Sequence, residues 1–276
     1  MANVCVITGG GSGMGLAAAK FMPKDKIIVI SGRTLSKLEG AVEELKALGY
    51  TAYAKTCDTS KRESVKELVA FCKSLGEIKN VINSAGLSPA MSNPETIVRV
   101  NALGTVYVNE EFSKEMNAGS VIVDVSSNSA YVLPSFIINK KDYRLADTDE
   151  EKFIKKIIKK SNMAKSDYQK SGFAYSLSKN FVVWYAQKCA FDYGKKGIRV
   201  CSLSPGLIAT DMGNLEAQEG GMLIPMSAEE RMGRPEELGF ALATVADERN
   251  GYLAGVDVLV DGGSTNGMKE FKKNKK

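Results

Sequence analysis

The sequence predicts an α/β fold, a doubly wound and mostly parallel sheet of seven strands with helices on both faces, forming one domain over residues 1–276. Three observations predict it. Apolar runs rich in β-branched residues alternate with segments of helical periodicity. Those runs are continuously apolar, as in strands covered on both faces. The first of them leads directly into a glycine-rich turn and a helix.

Taken in order, the first strand is VCVIT (4–8), followed by TGGGSGMGLAAAK. KIIVIS (26–31) is the second, and after it Leu38, Val42, Leu45 and Leu48 recur at helical spacing. TAYAKTC (51–57) is the third, leading to a helix with Val65, Leu68 and Cys72 on one face. KNVINS (79–84), SVIVDVS (120–126), IRVCSLS (198–204) and VDVLVD (256–261) complete the sheet. Right-handed crossovers between parallel strands give the doubly wound layout. No repeat, low-complexity linker or composition break divides the chain.

Composition excludes several classes of function. There is no histidine among the 276 residues, hence no Ser-His-Asp triad, no HExxH zinc site and no imidazole base. A GxSxG nucleophile elbow is also missing, and no metal site is expected. No apolar run approaches the ~18 residues of a membrane span. The five cysteines show no CxxC spacing and read as buried free thiols of a cytoplasmic protein. The net charge of +5 is concentrated in residues 139–171 and in the tail 268–276, leaving a slightly acidic body. That argues against binding nucleic acid, which needs a basic face on the folded core.

Gly9, Gly13 and Gly15 stand where a pyrophosphate would approach the backbone at a helix N-terminus. An acid at the end of the second strand would select NAD(H), but Arg33 and Thr34 stand there instead. A guanidinium beside a hydroxyl suits a 2′-phosphate, so NADP(H) is preferred and NAD(H) remains possible. In AYSLSKNF, Tyr175 and Lys179 lie four apart and face the same way on a helix. A neighbouring ammonium favours the phenolate, which makes tyrosine a usable acid or base without histidine.

These pieces have company at other strand ends: VINSAG (81–86), RVNALGTV (99–106), VDVSSNSA (123–130) and SPGLIATDM (204–212). With YSLSK and the late GRPEELG and VDGG, the chain resembles the short-chain dehydrogenase/reductase family almost end to end, a Rossmann-type fold. The resemblance implies that Tyr175 exchanges a proton with a substrate carbonyl or alcohol, aided by Lys179, which also holds the nicotinamide ribose. It implies that Ser127 orients the carbonyl oxygen and that Asn101 anchors a relay water. Ser126 and Ser129 crowd the same strand end, and Ser127 is preferred as the second of a serine pair. Asp58 would contact the adenine, Asn83 would steady the adenine-ribose side, and Pro205, Gly206, Ile208 and Thr210 would cradle the nicotinamide amide. Ser12, Met14, Thr59, Ala85 and Gly86 complete the implied cofactor contacts. Homodimers or homotetramers, paired through the helices carrying Asn101 and Tyr175, are implied as well.

The chain departs from the family's pattern between Ser127 and Tyr175, which are 48 residues apart. The extra segment, 131–171, carries a capping box at Thr148 and Glu151 and an apolar stripe of Phe153, Ile154, Ile157 and Ile158. Three readings stand: the stripe packs on the body or another subunit, it forms a lid over the substrate, or its lysines dock on an anionic surface or carrier. Residues 213–233 read as a second mobile lid, with Met222, Leu223, Ile224 and Met226 as pocket candidates. The expected activity is ketone reduction or secondary-alcohol oxidation on a bulky apolar, steroid- or bile-acid-like substrate. A 3-oxoacyl-thioester reductase and a non-catalytic NADP(H) sensor are the alternatives.

Overall fold

Successive side chains of a strand point to opposite faces of its sheet. In β1 (Asn3–Thr8), Val4 and Val6 therefore enter one apolar core, while Cys5 and Ile7 enter another. A computed structural model describes residues 1–273, without the side chains of 216–223 and 271–273. β2 (Ile27–Gly32), β3 (Thr51–Thr56), β4 (Glu77–Asn83), β5 (Val121–Val125), β6 (Arg199–Pro205) and β7 (Asp257–Val260) join β1 in the order β3-β2-β1-β4-β5-β6-β7. Every strand pairing is parallel, a stricter result than the mostly parallel sheet expected.

The helices in chain order are α1 (Gly13–Phe21), α2 (Leu35–Ala47), α3 (Arg62–Leu75), α4 (Pro94–Val98) and, after a π turn over Arg99–Leu103, α5 (Gly104–Glu115). They continue with α6 (Lys140–Tyr143), α7 (Glu150–Ser161), α8 (Asp167–Gly194), α9 (Asp211–Gly220), α10 (Pro235–Val245) and α11 (Ser264–Lys273). α1, α2 and α10 cover one face through Ala18, Leu38, Leu45, Leu238 and Leu242. α3, α5, α7 and α8 cover the other through Leu68, Val106, Phe153 and Phe181. Among the described residues no helix is long and apolar enough to cross a membrane.

A polar row crosses the sheet in register. Lys55, Ser31, Thr8, Asn83, Asp124, Ser202 and Asp257 are paired neighbours across all seven strands, at or next to the last residue of β1 to β5, in the middle of β6 and at the start of β7. The row lies on the face of the core that contains Val4, Val6 and Ile122, whereas the opposite core continues past it through Val125 and Leu203. A crevice opens where β1 and β4 diverge in chain order, the place where open parallel sheets bind ligands.

The insertion packs on the body. Phe153, Ile154 and Ile157 are buried in the same core as Phe181, and Ile158 packs half-buried against it. The Phe153 ring lies 5.0 Å from that of Phe181, and Tyr143 sits 5.4 Å from Phe181 and 5.6 Å from Trp184. The side of α8 around Phe181 and Trp184 is thereby covered, while Tyr168 and Phe191 of the same helix stay exposed. The expected capping box at Thr148 and Glu151 does not form. Thr148 closes the preceding 3₁₀ turn, so Asp149 caps α7 by accepting from Lys152 N at 3.0 Å. Glu151 is freed to pair with Arg99 at 2.9 Å, and Glu150 accepts from Tyr107 Oη at 2.5 Å. Lys152, Lys155, Lys156 and Lys159 face outward.

In the second expected lid, residues 213–233, Ile224 and Met226 are half-buried, while the side chains of Met222 and Leu223 lie outside the described residues. Residues 274–276 of the basic tail also lie outside them.

Phe153→Ala removes a fully buried ring from the insertion's anchor and is expected to cost about 3–5 kcal/mol. Lys156→Ala, on the exposed face, should stay within about 0.5 kcal/mol. Urea denaturation checks the contrast, and equal effects would mean that the insertion is not part of the core.

Candidate active site

The glycine turn works because it has no side chains to accommodate. Gly9 adopts φ +66°, and a Cβ there would lie 2.8 Å from Ser84 O, so the turn presses against the loop leaving β4. Gly13, Met14 and Gly15 then open α1, with Ser12 at its N-cap. Gly9, Ser12, Gly13, Met14 and Gly15 line one wall of a trough whose other walls include Ala85, Gly86 and Thr210. This fits the approach of a pyrophosphate to exposed backbone amides.

At the ends of the neighbouring strands, Arg33 is exposed just past β2, and Thr34 stands at the N-cap of α2 without a side-chain cap bond. Asp58 follows β3. Burial pushes its carboxyl up, but hydrogen bonds from Ser60 Oγ at 2.7 Å and Ser60 N at 3.1 Å outweigh this, as do the Lys61 and Arg33 charges, and hold it below the usual range. Two expected cofactor contacts turn inward. Thr59 is buried with its hydroxyl against Gly104. Asn83 is buried with its amide fully engaged, accepting from Thr8 Oγ1 at 2.8 Å and donating to Asp124 Oδ1 at 3.1 Å and Thr105 Oγ1 at 3.3 Å. Asn83 therefore steadies the trough from beneath, and neither residue is among those lining it.

The trough shares Met14, Ser84, Gly86 and Thr210 with a second cleft. There the structure brings together Ser127, Tyr175 and Lys179 with Pro205, Gly206 and Ile208. α8 presents Tyr175 and Lys179 from its third and fourth turns, on a helix held by a reciprocal capping box between Ser166 and Gln169. Lys179 is buried, donates from Nζ to Val125 O at 3.0 Å, and lies 5.8 Å from the centre of the Tyr175 ring. Gly86 admits it closely, since a Cβ there would stand 3.4 Å from Nζ.

The three serines separate by their bonds. Ser126 Oγ donates to Lys179 O at 2.8 Å and ties α8 to the sheet. Ser127 Oγ accepts from Ser129 N at 3.1 Å and donates to Asn128 Oδ1 at a long 3.4 Å. Asn128 Nδ2 in turn donates to Ser264 Oγ at 3.0 Å, linking the serine loop to α11. Asn101 sits in the π turn, a helix irregularity frequent at functional sites. Its Oδ1 accepts from Leu87 N at 2.8 Å, and its Nδ2 donates to Leu87 O at 2.9 Å and to Ser178 Oγ at 3.3 Å. This side chain clasps the loop after β4, and those contacts fully engage its amide.

Sequence reasoning passed over Asp124. It is fully buried on β5, accepting from Asn83 at Oδ1 and from Asn109 Nδ2 at Oδ2, the latter at 2.7 Å. The signal was an acid in the middle of the apolar run SVIVDVS. Burial pushes its carboxyl up to about 7, against the opposing pull of the Asn109 and Asn83 amides and of Lys179. Also passed over were Leu87, Leu207 and Met212, which add apolar surface to the cleft. No residue of 131–171 lines either the trough or the cleft.

Comparison with known proteins matches this architecture. A family model described as short chain dehydrogenase matches residues 3–137, and one described as enoyl-(acyl carrier protein) reductase matches 149–265. A short-chain dehydrogenase/reductase, bsc3, of Alternaria brassicicola is 28% identical over 267 residues, covering 95% of each chain. A cyclohexanol dehydrogenase of an Acinetobacter species is 28% identical over 271 residues, again covering 95% of each. A short chain dehydrogenase from Burkholderia cenocepacia, solved in complex with NADP, superposes with a TM-score of 0.75 at 20% identity, covering 94% of this chain and 96% of that one.

Asp124 makes stability pH-dependent with a definite sign. Its folded value near 7 lies above the ordinary 3.8, so between those values the folded chain retains a proton that the unfolded chain has lost. Its favourable contribution is full below about pH 4 and is lost as pH rises through about 7. The melting temperature of Asp124→Asn relative to the parent should therefore rise between about pH 4.5 and 7.5 in scanning calorimetry. A difference constant with pH would refute this.

Proposed function

Because the chain belongs to the short-chain dehydrogenase/reductase family of NAD(P)-dependent oxidoreductases, we propose that it interconverts a ketone and a secondary alcohol, preferring NADP(H) over NAD(H). One observation carries this: the glycine trough shares its walls with a cleft holding Ser127, Tyr175 and Lys179. When bound, the nicotinamide cofactor supplies or accepts the hydride. Gly9, Gly13 and Gly15 would take its pyrophosphate, and Pro205, Gly206, Ile208 and Thr210 its amide end. Arg33 and Thr34 favour a 2′-phosphate, and the NADP held by the Burkholderia relative is in keeping with that.

In the reducing direction Tyr175 Oη gives a proton to the carbonyl oxygen, and in the oxidising direction it takes one back. The Lys179 ammonium favours the phenolate form that this exchange leaves behind. Ser127 Oγ, held by Ser129 N and only loosely directed at Asn128, turns its hydrogen to the substrate oxygen. Asn101 fixes the geometry by clasping Leu87, next to the Gly86 that accommodates Lys179.

The substrate is an apolar, ring-bearing ketone, up to steroid or bile-acid size. Leu87, Leu207, Ile208 and Met212 give the cleft an apolar wall, and a relative of similar length is named for an alicyclic alcohol. Because the insertion's stripe packs on the body, it adds nothing to that wall. A 3-oxoacyl thioester is the second reading, favoured by the outward lysines of α7 and by the carrier-protein name of the family model over 149–265. A sensor without turnover would have no use for the Ser127, Tyr175 and Lys179 grouping. Any homodimer or homotetramer must pair through surface that α7 leaves open.

Steady-state oxidation of NADPH and NADH against cyclic ketones, ketosteroids, bile acids and 3-oxoacyl thioesters tests the assignment. Tyr175→Phe should bind NADPH normally and turn over about 10²–10⁴-fold more slowly. Unchanged turnover would remove Tyr175 as the acid. Arg33→Asp should weaken NADPH binding about 10–100-fold through loss of charge-assisted bonds, while sparing NADH. Equal NADPH affinity in the variant would refute the 2′-phosphate contact.

A further inference from the structure

A carboxylate inside a sheet needs a reason, because removing it from water is costly unless it is well compensated. Asp124 is fully buried and receives only amide donors, Asn83 Nδ2 at 3.1 Å and Asn109 Nδ2 at 2.7 Å. Those two bonds do not require a charge. An asparagine at 124 could keep both bonds, its Oδ1 accepting from Asn83 and its Nδ2 donating to a rotated Asn109 amide, although Asn109 Nδ2 would then take the buried place where Oδ1 has no partner.

The surroundings indicate what the carboxylate faces. From β4 and α5, the groups facing the carboxylate are neutral: Asn83 and Asn109. From β6 comes Ser202, its paired neighbour, whose hydroxyl donates to Asp257 at 2.5 Å, and from α8 come Cys189 and Lys179. Burial pushes the Cys189 thiol up to about 12, so it stays neutral. Lys179 is the charged neighbour. Its Nζ bonds to the carbonyl of Val125, one residue along the strand from Asp124. The network also reaches the loop and the π turn that frame the cleft. Thr8 Oγ1 donates to Asn83 and accepts from Ala85 N at 3.1 Å, while Thr105 Oγ1 donates to Asn101 O at 2.8 Å.

We propose that Asp124 is a positioning residue for the Tyr175–Lys179 pair, its carboxylate acting as the countercharge behind Lys179 and setting the pH range in which Tyr175 exchanges its proton. This rests on Tyr175 being the proton-handling group. A negative charge in this cluster opposes formation of the phenolate. Removing it therefore moves the ionisation of Tyr175 downward.

The test needs no substrate. The ultraviolet absorbance of phenolate is titrated in the holoprotein, and subtracting the Tyr175→Phe titration isolates Tyr175. In Asp124→Asn the midpoint should fall by about half a pH unit or more. The exchange Asp124→Asn with Asn109→Asp returns a carboxylate to the same cluster and should restore the parent midpoint. An unmoved midpoint in a folded, NADPH-binding Asp124→Asn overturns the proposal. If that variant does not fold, the double exchange decides: a parent-like midpoint supports the countercharge, and a lowered one overturns it. Should Tyr175→Phe retain full turnover while the midpoint still shifts, the coupling stands and the reading of Tyr175 as the acid fails.

Discussion

Everything at the site depends on the register of the parallel strands. Parallel pairing brings every carboxyl end to the same edge, and the pairings place Thr8, Asn83, Asp124 and Ser202 side by side across the centre. A slip of one residue would exchange the two cores and turn each of these groups to the opposite face. The polar row therefore bounds the apolar packing on one face, and just past the ends of β1 and β4 the chain forms the turns that line the trough.

The residues of the site are held by contacts that leave little freedom. Gly9 lies against Ser84, and Gly86 lies against both Lys179 and Asn101, so side chains at either position would displace the loop after β4. Asn101 fastens that loop at Leu87 with a donor and an acceptor together, which fixes its position along the chain. Lys179 is anchored to Val125, while Ser126 holds the main chain of Lys179 in return. Preorganisation of this kind is what a proton-transfer site requires in a chain without histidine.

Much of this was legible because the signals were local. A continuous apolar run marks a doubly covered strand, a glycine cluster marks a turn, and a four-residue spacing marks one face of a helix. What was not legible depended on partners distant in sequence. The stripe of α7 could be recognised, but not that Phe181 and Tyr143 would receive it. Thr148 and Asp149 were both competent caps, and the choice fell to the preceding turn, which had already used the backbone of Thr148. Asn83 and Thr59 stand next to plausible cofactor contacts, yet their side chains point down to Asp124 and Gly104. Asp124 itself was visible as an anomaly in its strand, but its partners come from β4, α5 and α8.

The insertion contributes no surface to the cleft, but it is not isolated from it. Glu151 of α7 grips Arg99, and Arg99 lies two residues before Asn101 in the same π turn. From there the clasp on Leu87 leads to Gly86 and the lysine. The segment is thus tied to the π turn through one surface ion pair, with its exposed face free to vary. Substitutions on the outer surface of α7 leave every group that lines the trough and the cleft in place.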